Sequence, residues 1–144
     1  MTSSATFGFN DLFSPCTAFH FELAKKYIAE FELDDRHLIR EQFITVNTGS
    51  SLLGFGRIRE QAGFSELCSL GILPGQRSKG HGQALGLKLI ELAQQPLYLA
   101  CIIPSFFEKL GFAICKDYPL GMREKLDYCR QSLPVPEDYI VMRL

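Results

Sequence analysis

The chain has 144 residues, 47% of them hydrophobic and 22% charged, with a net charge of -1, which suits one domain around one core and excludes extended disorder. So small a net charge gives no electrostatic reason to expect nucleic acid or an anionic membrane as partner. No apolar run reaches the roughly 18 residues that a membrane-spanning helix needs.

Met1–Leu12 has neither a basic region nor an apolar run, so no signal peptide is expected and the chain is expected in the cytoplasm. Met1–Asp11 is Ser/Thr/Gly-rich and predicts a short strand or no element at all. Ser14-Pro15 reads as a helix start, with serine as cap and proline in the first helical position. Phe19, Leu23 and Tyr27, with Ala24, Ile28 and Phe31, then recur at three- and four-residue spacing and give that helix one apolar face. A second short helix is expected over Asp34–Arg40, capped by its aspartate.

The period then changes from helical to alternating. Strands are expected over Gln42–Asn47, Ser51–Glu60 and Phe64–Leu73, joined by turns at Thr48-Gly49-Ser50 and Ala62-Gly63, which makes an antiparallel meander. In the middle strand Leu53, Phe55, Arg57 and Arg59 share one face. After Pro74 a broad apolar face predicts a helix from Gly80 to Gln94, ended by Pro96. Leu97–Ile103 is wholly apolar, as in a strand covered on both faces. A short helix at Ser105–Leu110, closed by Gly111, leads to strands at Phe112–Cys115 and Tyr139–Leu144. Between those two strands lie a helix near Met122–Cys129 and the proline-rich loop Leu133–Glu137. The order predicts one α/β domain over residues 1–144: a mixed, mostly antiparallel sheet of about six to seven strands with helices on both faces. The helical crossover makes Phe64–Leu73 and Leu97–Ile103 parallel.

The five cysteines, Cys16, Cys68, Cys101, Cys115 and Cys129, form no C-x-x-C pair and match no zinc spacing. They read as reduced thiols, and no metal site is expected.

The chemistry concentrates in Gln76-Arg77-Ser78-Lys79-Gly80-His81-Gly82, between the end of a strand and the start of a helix. The first amides of a helix have no acceptor within it, and the macrodipole adds partial positive charge there, so such a junction suits an anion. Two glycines at alternate positions let the backbone approach a phosphate, and Arg77 and Lys79 add full charges. A Walker loop does not fit, because Lys79 precedes glycine, and the spacing of Gly80, Gly82 and Gly86 breaks the dinucleotide fingerprint. A glycine-rich turn that only caps a helix is the alternative.

The surrounding stretch Glu66–Leu85, "ELCSLGILPGQRSKGHGQAL", resembles the acetyl-coenzyme A motif of the GNAT superfamily of N-acetyltransferases: strand, proline, Arg/Gln-x-x-Gly-x-Gly/Ala, helix. Ser105–Phe112, "SFFEKLGF", resembles the second motif of that family, an aromatic-rich helix ending in Gly-Phe. The resemblance implies acetyl-CoA as cosubstrate, lying between two strands that splay apart. Leu70, Gly71 and Ile72 would pair with its pantetheine arm, and amides of Arg77, Ser78, Lys79, Gly80, His81 and Gly82 would hold the pyrophosphate. An amide near Leu70 would polarise the thioester carbonyl.

The resemblance also makes Glu66 the candidate base for the acceptor ammonium, against a plain structural carboxylate. The family often places an acid tyrosine in the second motif, but that register holds Phe107 here, which has no proton to give. Phe107 is then expected only to line the channel, and Cys101 and Tyr98 stand nearby as alternative acids. His81 reads as a helix-start residue, while His20 and His37 carry no motif.

Finally "GFAICKDYPLGMREKLDYCRQS" is similar to the tail of amino-acid N-acetyltransferases of the acetylglutamate-synthase type. That similarity implies a small-molecule amine such as an amino acid, whose carboxylate Arg57 or Arg59 would bind. An acetyl-CoA-binding module without catalysis, and an enzyme acting on a protein N-terminus or lysine, are the other two readings. The expected partner is the small amine, without nucleic acid or membrane, as a monomer or a homodimer.

Overall fold

The computed structural model describes residues 12–144, so the expectations placed on Met1–Asp11 lie outside the described residues. Seven strands form one sheet in the order β1-β2-β3-β4-β5-β7-β6. They are β1 (Phe13–Pro15), β2 (Phe43–Thr48), β3 (Ser51–Gln61), β4 (Phe64–Ile72), β5 (Leu97–Cys101), β6 (Ala113–Ile114) and β7 (Ile140–Arg143). Every neighbouring pair is antiparallel except β4 and β5, which are parallel as the crossover demanded. The helices are α1 (Ala18–Glu30), α2 (His81–Leu92), α3 (Pro104–Glu108) and α4 (Leu120–Ser132). Among the described residues no helix is long and apolar enough to cross a membrane.

Strand alternation sends side chains to two layers of core. Leu97 and Leu99 of β5 pack with Leu85 and Leu89 of α2, while Tyr98 between them packs with Met122, Leu126 and Cys129 of α4. A third cluster seats Ala24 and Ile28 of α1 on Phe43 and Phe55. The mixed α/β architecture with helices on both faces is thus the expected one. All five cysteines are free thiols.

Two local expectations differ from the structure. Ser14 and Pro15 belong to β1, paired with Thr45 and Ile44, and do not start a helix. The Ser14 hydroxyl bonds across that ladder to Thr45 Oγ1 at 3.2 Å, so α1 begins later, with Thr17 Oγ1 accepting from His20 N at 3.1 Å. The short helix expected over Asp34–Arg40 is an irregular loop, followed by a 3-10 turn at Arg40–Gln42. The carbonyls of Asp34, Arg36 and His37 are taken by the side chain of Arg57, so they are not free for helical amides.

Two irregularities in the sheet position the site. In the β3–β4 ladder Phe55 faces Gly71 and Arg57 faces Cys68, so Ser69 and Leu70 together oppose Gly56. That is a β-bulge, and Ser69 takes a positive φ of 56° within it. In the β4–β5 ladder only Ser65↔Leu97 and Glu66↔Tyr98 pair, and beyond those two rungs the strands part.

Candidate active site

The parting of β4 and β5 opens a cavity of about 500 Å³. Residues 67–72 form one wall, residues 99–103 the other, and Phe106 and Phe107 of α3 close one side. Arg77 and Gly82 stand at one end, with Asp34, Lys125, Cys129 and Tyr139 toward the other.

At the first end the chain turns through Ser78 and Gly80, both at positive φ (63° and 85°), into α2. Only glycine adopts such a backbone without steric cost at the cap position. No side chain caps the helix, and its first internal bond runs from Ala84 N to Gly80 O at 3.0 Å. The amides of His81, Gly82 and Gln83 therefore have no acceptor within the helix. A Cβ on Gly82 would meet the Phe106 ring at 3.5 Å and Ile72 at 3.6 Å, so the helix start is closely seated against the cavity. Arg77 donates from Nε to Ile72 O at 3.0 Å and lies 4.7 Å over the Phe31 ring, which folds it across this end. Of the expected cofactor residues, Leu70, Gly71, Ile72, Arg77, Gly82 and Phe107 line the cavity. Ser78, Lys79, Gly80 and His81 shape the turn and do not line it. Phe107 is buried, edge-on to Phe106 at 5.0 Å and to Phe112 at 5.9 Å.

The other end is a buried charge network. The spacing of Met122, Lys125, Leu126 and Cys129 places all four on the covered face of α4. Lys125 is 4% exposed, and its Nζ donates to Asp34 Oδ2 at 2.7 Å. It also lies 2.6 Å from Glu66 Oε2, at angles that make no hydrogen bond, leaving that oxygen without a hydrogen-bond partner. Gln61 Nε2 reaches the other Glu66 oxygen at 3.3 Å. Asp34 accepts from the Arg36 amide (2.9 Å), from Arg36 Nε (3.1 Å) and from Arg36 Nη2 (2.9 Å). Burial alone would raise the Asp34 carboxyl, but the Arg36 hydrogen bonds and the Lys125 charge outweigh it and hold the group below the usual range. For Lys125, burial opposes the charge, and the surrounding Cys68, Glu66 and Asp34 overcome that and push it up. Burial pushes the Cys68 thiol up, and takes Cys101 and Cys129 to about 11 and the Tyr139 hydroxyl to about 12.

Three of the expected site residues belong to or adjoin this network. Arg57 is fully buried, and each of its five N–H groups has an acceptor within the protein, so it has no donor left for a substrate carboxylate. Glu66 is 1% exposed, faces Lys125 and Arg59, and is not among the residues that line the cavity, from which Lys125 separates it. Arg59 is also off the wall; its Nη1 lies 3.9 Å from Asp34 and 3.8 Å from Glu66, and it makes no hydrogen bond among the described residues. Tyr98 is covered by Phe64 at 5.7 Å and Arg143 at 5.5 Å, away from the cavity, whereas Cys101 lines it. Sequence reasoning missed Asp34, Lys125 and Tyr139 as wall residues. The signal for Lys125 was a lone lysine on the apolar stripe of α4.

Asp34, Glu66 and Cys68 bring potential metal ligands within 4.8 Å of one another. The Lys125 ammonium already stands between the two carboxylates, where a metal cation would have to sit.

The sheet thus opens between its two parallel strands, beside a helix start whose amides are free. The sequence matches the model of the Acetyltransferase (GNAT) family over residues 8–112, so the chain belongs to that family and is a GNAT N-acetyltransferase. Among solved structures it is similar to Rv2747 from Mycobacterium tuberculosis, in complex with CoA and NLQ, with 14% identity and a TM-score of 0.75 over 92% of this chain and 97% of that one. It is similar to N-acetylglutamate synthase from Neisseria gonorrhoeae, complexed with coenzyme A and N-acetyl-glutamate, with 17% identity and a TM-score of 0.71. There the match covers 92% of this chain but 34% of that protein. The ribosomal-protein-S18-alanine N-acetyltransferase from Escherichia coli matches at 17% identity and a TM-score of 0.62, over 92% and 91% of the two chains. No curated protein sequence matches significantly.

Proposed function

We propose that this acetyltransferase moves the acetyl group of acetyl-CoA to the primary amine of a small molecule such as an amino acid. The observation that carries the reading is the single cavity that joins the α2 start to the Asp34–Lys125 network. At the α2 end, free amides from Arg77 to Gly82 and the Arg77 charge suit a pyrophosphate. Along β4, residues 70–72 offer backbone groups to an extended arm, as an added strand would use them. The bulge at Ser69–Leu70 breaks the regular pairing beside Leu70, and the amide of Leu70 would then be the donor to a thioester carbonyl.

The network end favours an acceptor that carries a carboxylate as well as an amine. It holds Arg36, Arg57, Arg59 and Lys125 against Asp34 and Glu66, with Glu32 also on the wall, so four cations face three carboxylates. Lys125 on the wall, backed by Arg59, would take the carboxylate. The amine nitrogen then attacks the thioester carbon, the C–S bond breaks, and the thiolate leaves with the electron pair. With Glu66 off the wall and serving as counter-ion to Lys125, the amine gives its proton to water at the cavity mouth. Rate comes chiefly from positioning and from the Leu70 amide.

The test is thiol release from acetyl-CoA over free amino acids, spermidine and short peptides. Release with amino acids and none with peptides is the expected result. Tight coenzyme A binding without release on any amine would make the protein a binding module, and release with peptides alone would overturn the small-molecule acceptor.

A further inference from the structure

Arg57 is the most completely enclosed ion in the molecule's described part, yet its guanidinium makes no hydrogen bond to a carboxylate. The nearest, Asp34 Oδ1, is 4.0 Å away. Its partners are instead Ser69 Oγ at 3.0 Å from Nε, His37 O at 3.1 Å and Gln42 Oε1 at 3.3 Å from Nη1, and Arg36 O at 3.0 Å and Asp34 O at 3.4 Å from Nη2. Ser69 Oγ in turn donates to Asp34 O at 2.8 Å. One side chain thus grips two segments far apart in sequence: the loop that carries Asp34, and the bulge that carries Ser69 and Leu70.

Each segment needs such a grip. The loop has no regular structure, so its buried carbonyls require donors from elsewhere. Ser69 sits at a positive φ that a non-glycine residue keeps only when its surroundings over-determine it. A guanidinium offers five donors in one rigid plane, whereas an ammonium offers three from a point and cannot span the same acceptors.

We propose that Arg57 is a positioning residue for acetyl transfer, which locks the acceptor-side loop to the Ser69–Leu70 bulge so that acceptor and thioester are held in one register. The proposal rests on the transferase reading above and adds to it a single part that sets both halves of the site. Arg57 acts through the segments it binds and touches neither substrate.

The experiment compares wild type with Arg57→Lys and with Ser69→Ala, which deletes only the hydroxyl between Arg57 and the Asp34 carbonyl. Amide hydrogen exchange should rise about tenfold in residues 33–38 and 68–71 of Arg57→Lys and stay unchanged in residues 76–82. The Kd for coenzyme A should remain within about threefold of wild type, because the phosphate turn makes no contact with Arg57. With whichever of L-glutamate, spermidine or the peptide Ala-Ala-Ala the wild type acetylates, kcat should fall by about tenfold or more per folded molecule, with acceptor KM rising. Ser69→Ala should show the same pattern to a smaller degree, and it carries the test if Arg57→Lys does not fold. Exchange that rises equally everywhere, or kcat unchanged per folded molecule, would overturn the proposal. If the wild type binds coenzyme A but acetylates none of these amines, the transferase reading falls and the positioning role of Arg57 in transfer with it. The exchange data then still decide whether the two segments are locked together.

Discussion

Lys125 shows what a buried charge does here: it sits between two carboxylates, and its charge adds to the Arg36 hydrogen bonds that hold Asp34 ionised. Lys125→Met should destabilise the protein by about 3–5 kcal/mol near neutral pH, because it leaves Asp34 and Glu66 buried against each other. The pH dependence fixes the cause. In the wild type Asp34 titrates below its ordinary 3.8, so its contribution is present above that value and fades as pH falls through the lower, folded value. Lys125 titrates above its ordinary 10.5, so its contribution is present below that value and fades as pH rises past it. Thermal melting of the wild type should therefore be level between about pH 5 and about pH 8 and decline on both sides, on the alkaline side first because the buried Cys101 and Cys129 thiols, raised from 9.0 to about 11 in the fold, ionise more readily in the unfolded chain. In Lys125→Met the midpoint should instead rise as pH is lowered from about 7 toward 5, as protons relieve the repulsion between two buried carboxylates that have lost the ammonium between them. Glu66→Gln separates counter-ion from base. Turnover should drop by the same factor at about pH 7 and about pH 9.5, whereas loss of a base would be relieved at the higher pH. Gly82→Val should keep the fold, since a Cβ there meets only ordinary contacts, yet weaken acetyl-CoA binding by about tenfold in calorimetry, or about 1.4 kcal/mol.

At the level of elements, what was legible in the sequence is what is local. The glycine turn and α2 follow from Gly80, Gly82 and a run of apolar residues at helical spacing, all within one stretch of chain. The aromatic α3 was legible for the same reason. Phe107→Ala should cost about 3–5 kcal/mol in urea unfolding, because the ring fills the space between Phe106, Phe112 and the cavity. Glu66, Arg57 and Arg59 were singled out as residues but not by role, since their roles depend on partners outside their own strand. Arg57 finds its acceptors in the loop before β2 and in β4, and Lys125 reaches Asp34 across the sheet from α4. The loop at Asp34 misled for a related reason. Its residues permit a helix, and the Arg57 side chain, by taking their carbonyls, decides otherwise. The bulge left no trace at all, because a serine at positive φ has no sequence signature.

For the whole molecule the decisive feature is that β4 and β5 stand fourth and fifth in a seven-stranded order and share only two rungs. The sheet is thus unzipped along its own midline and not at its rim. Interior strand edges of this kind are ordinarily paired or covered, since an open edge invites other chains. On the function proposed above, the molecule that covers the seam is acetyl-CoA, and the finished protein would be part polypeptide and part cosubstrate. Its persistence then tracks the supply of that metabolite. At a concentration about 100 times Kd, ligation adds about 2.7 kcal/mol to folding stability, enough to suppress the unfolded fraction about a hundredfold. Limited proteolysis of the purified protein should accordingly cut within residues 97–103 when coenzyme A is withdrawn and spare them when it is restored. A chain whose digestion ignores coenzyme A would show that the seam holds without it.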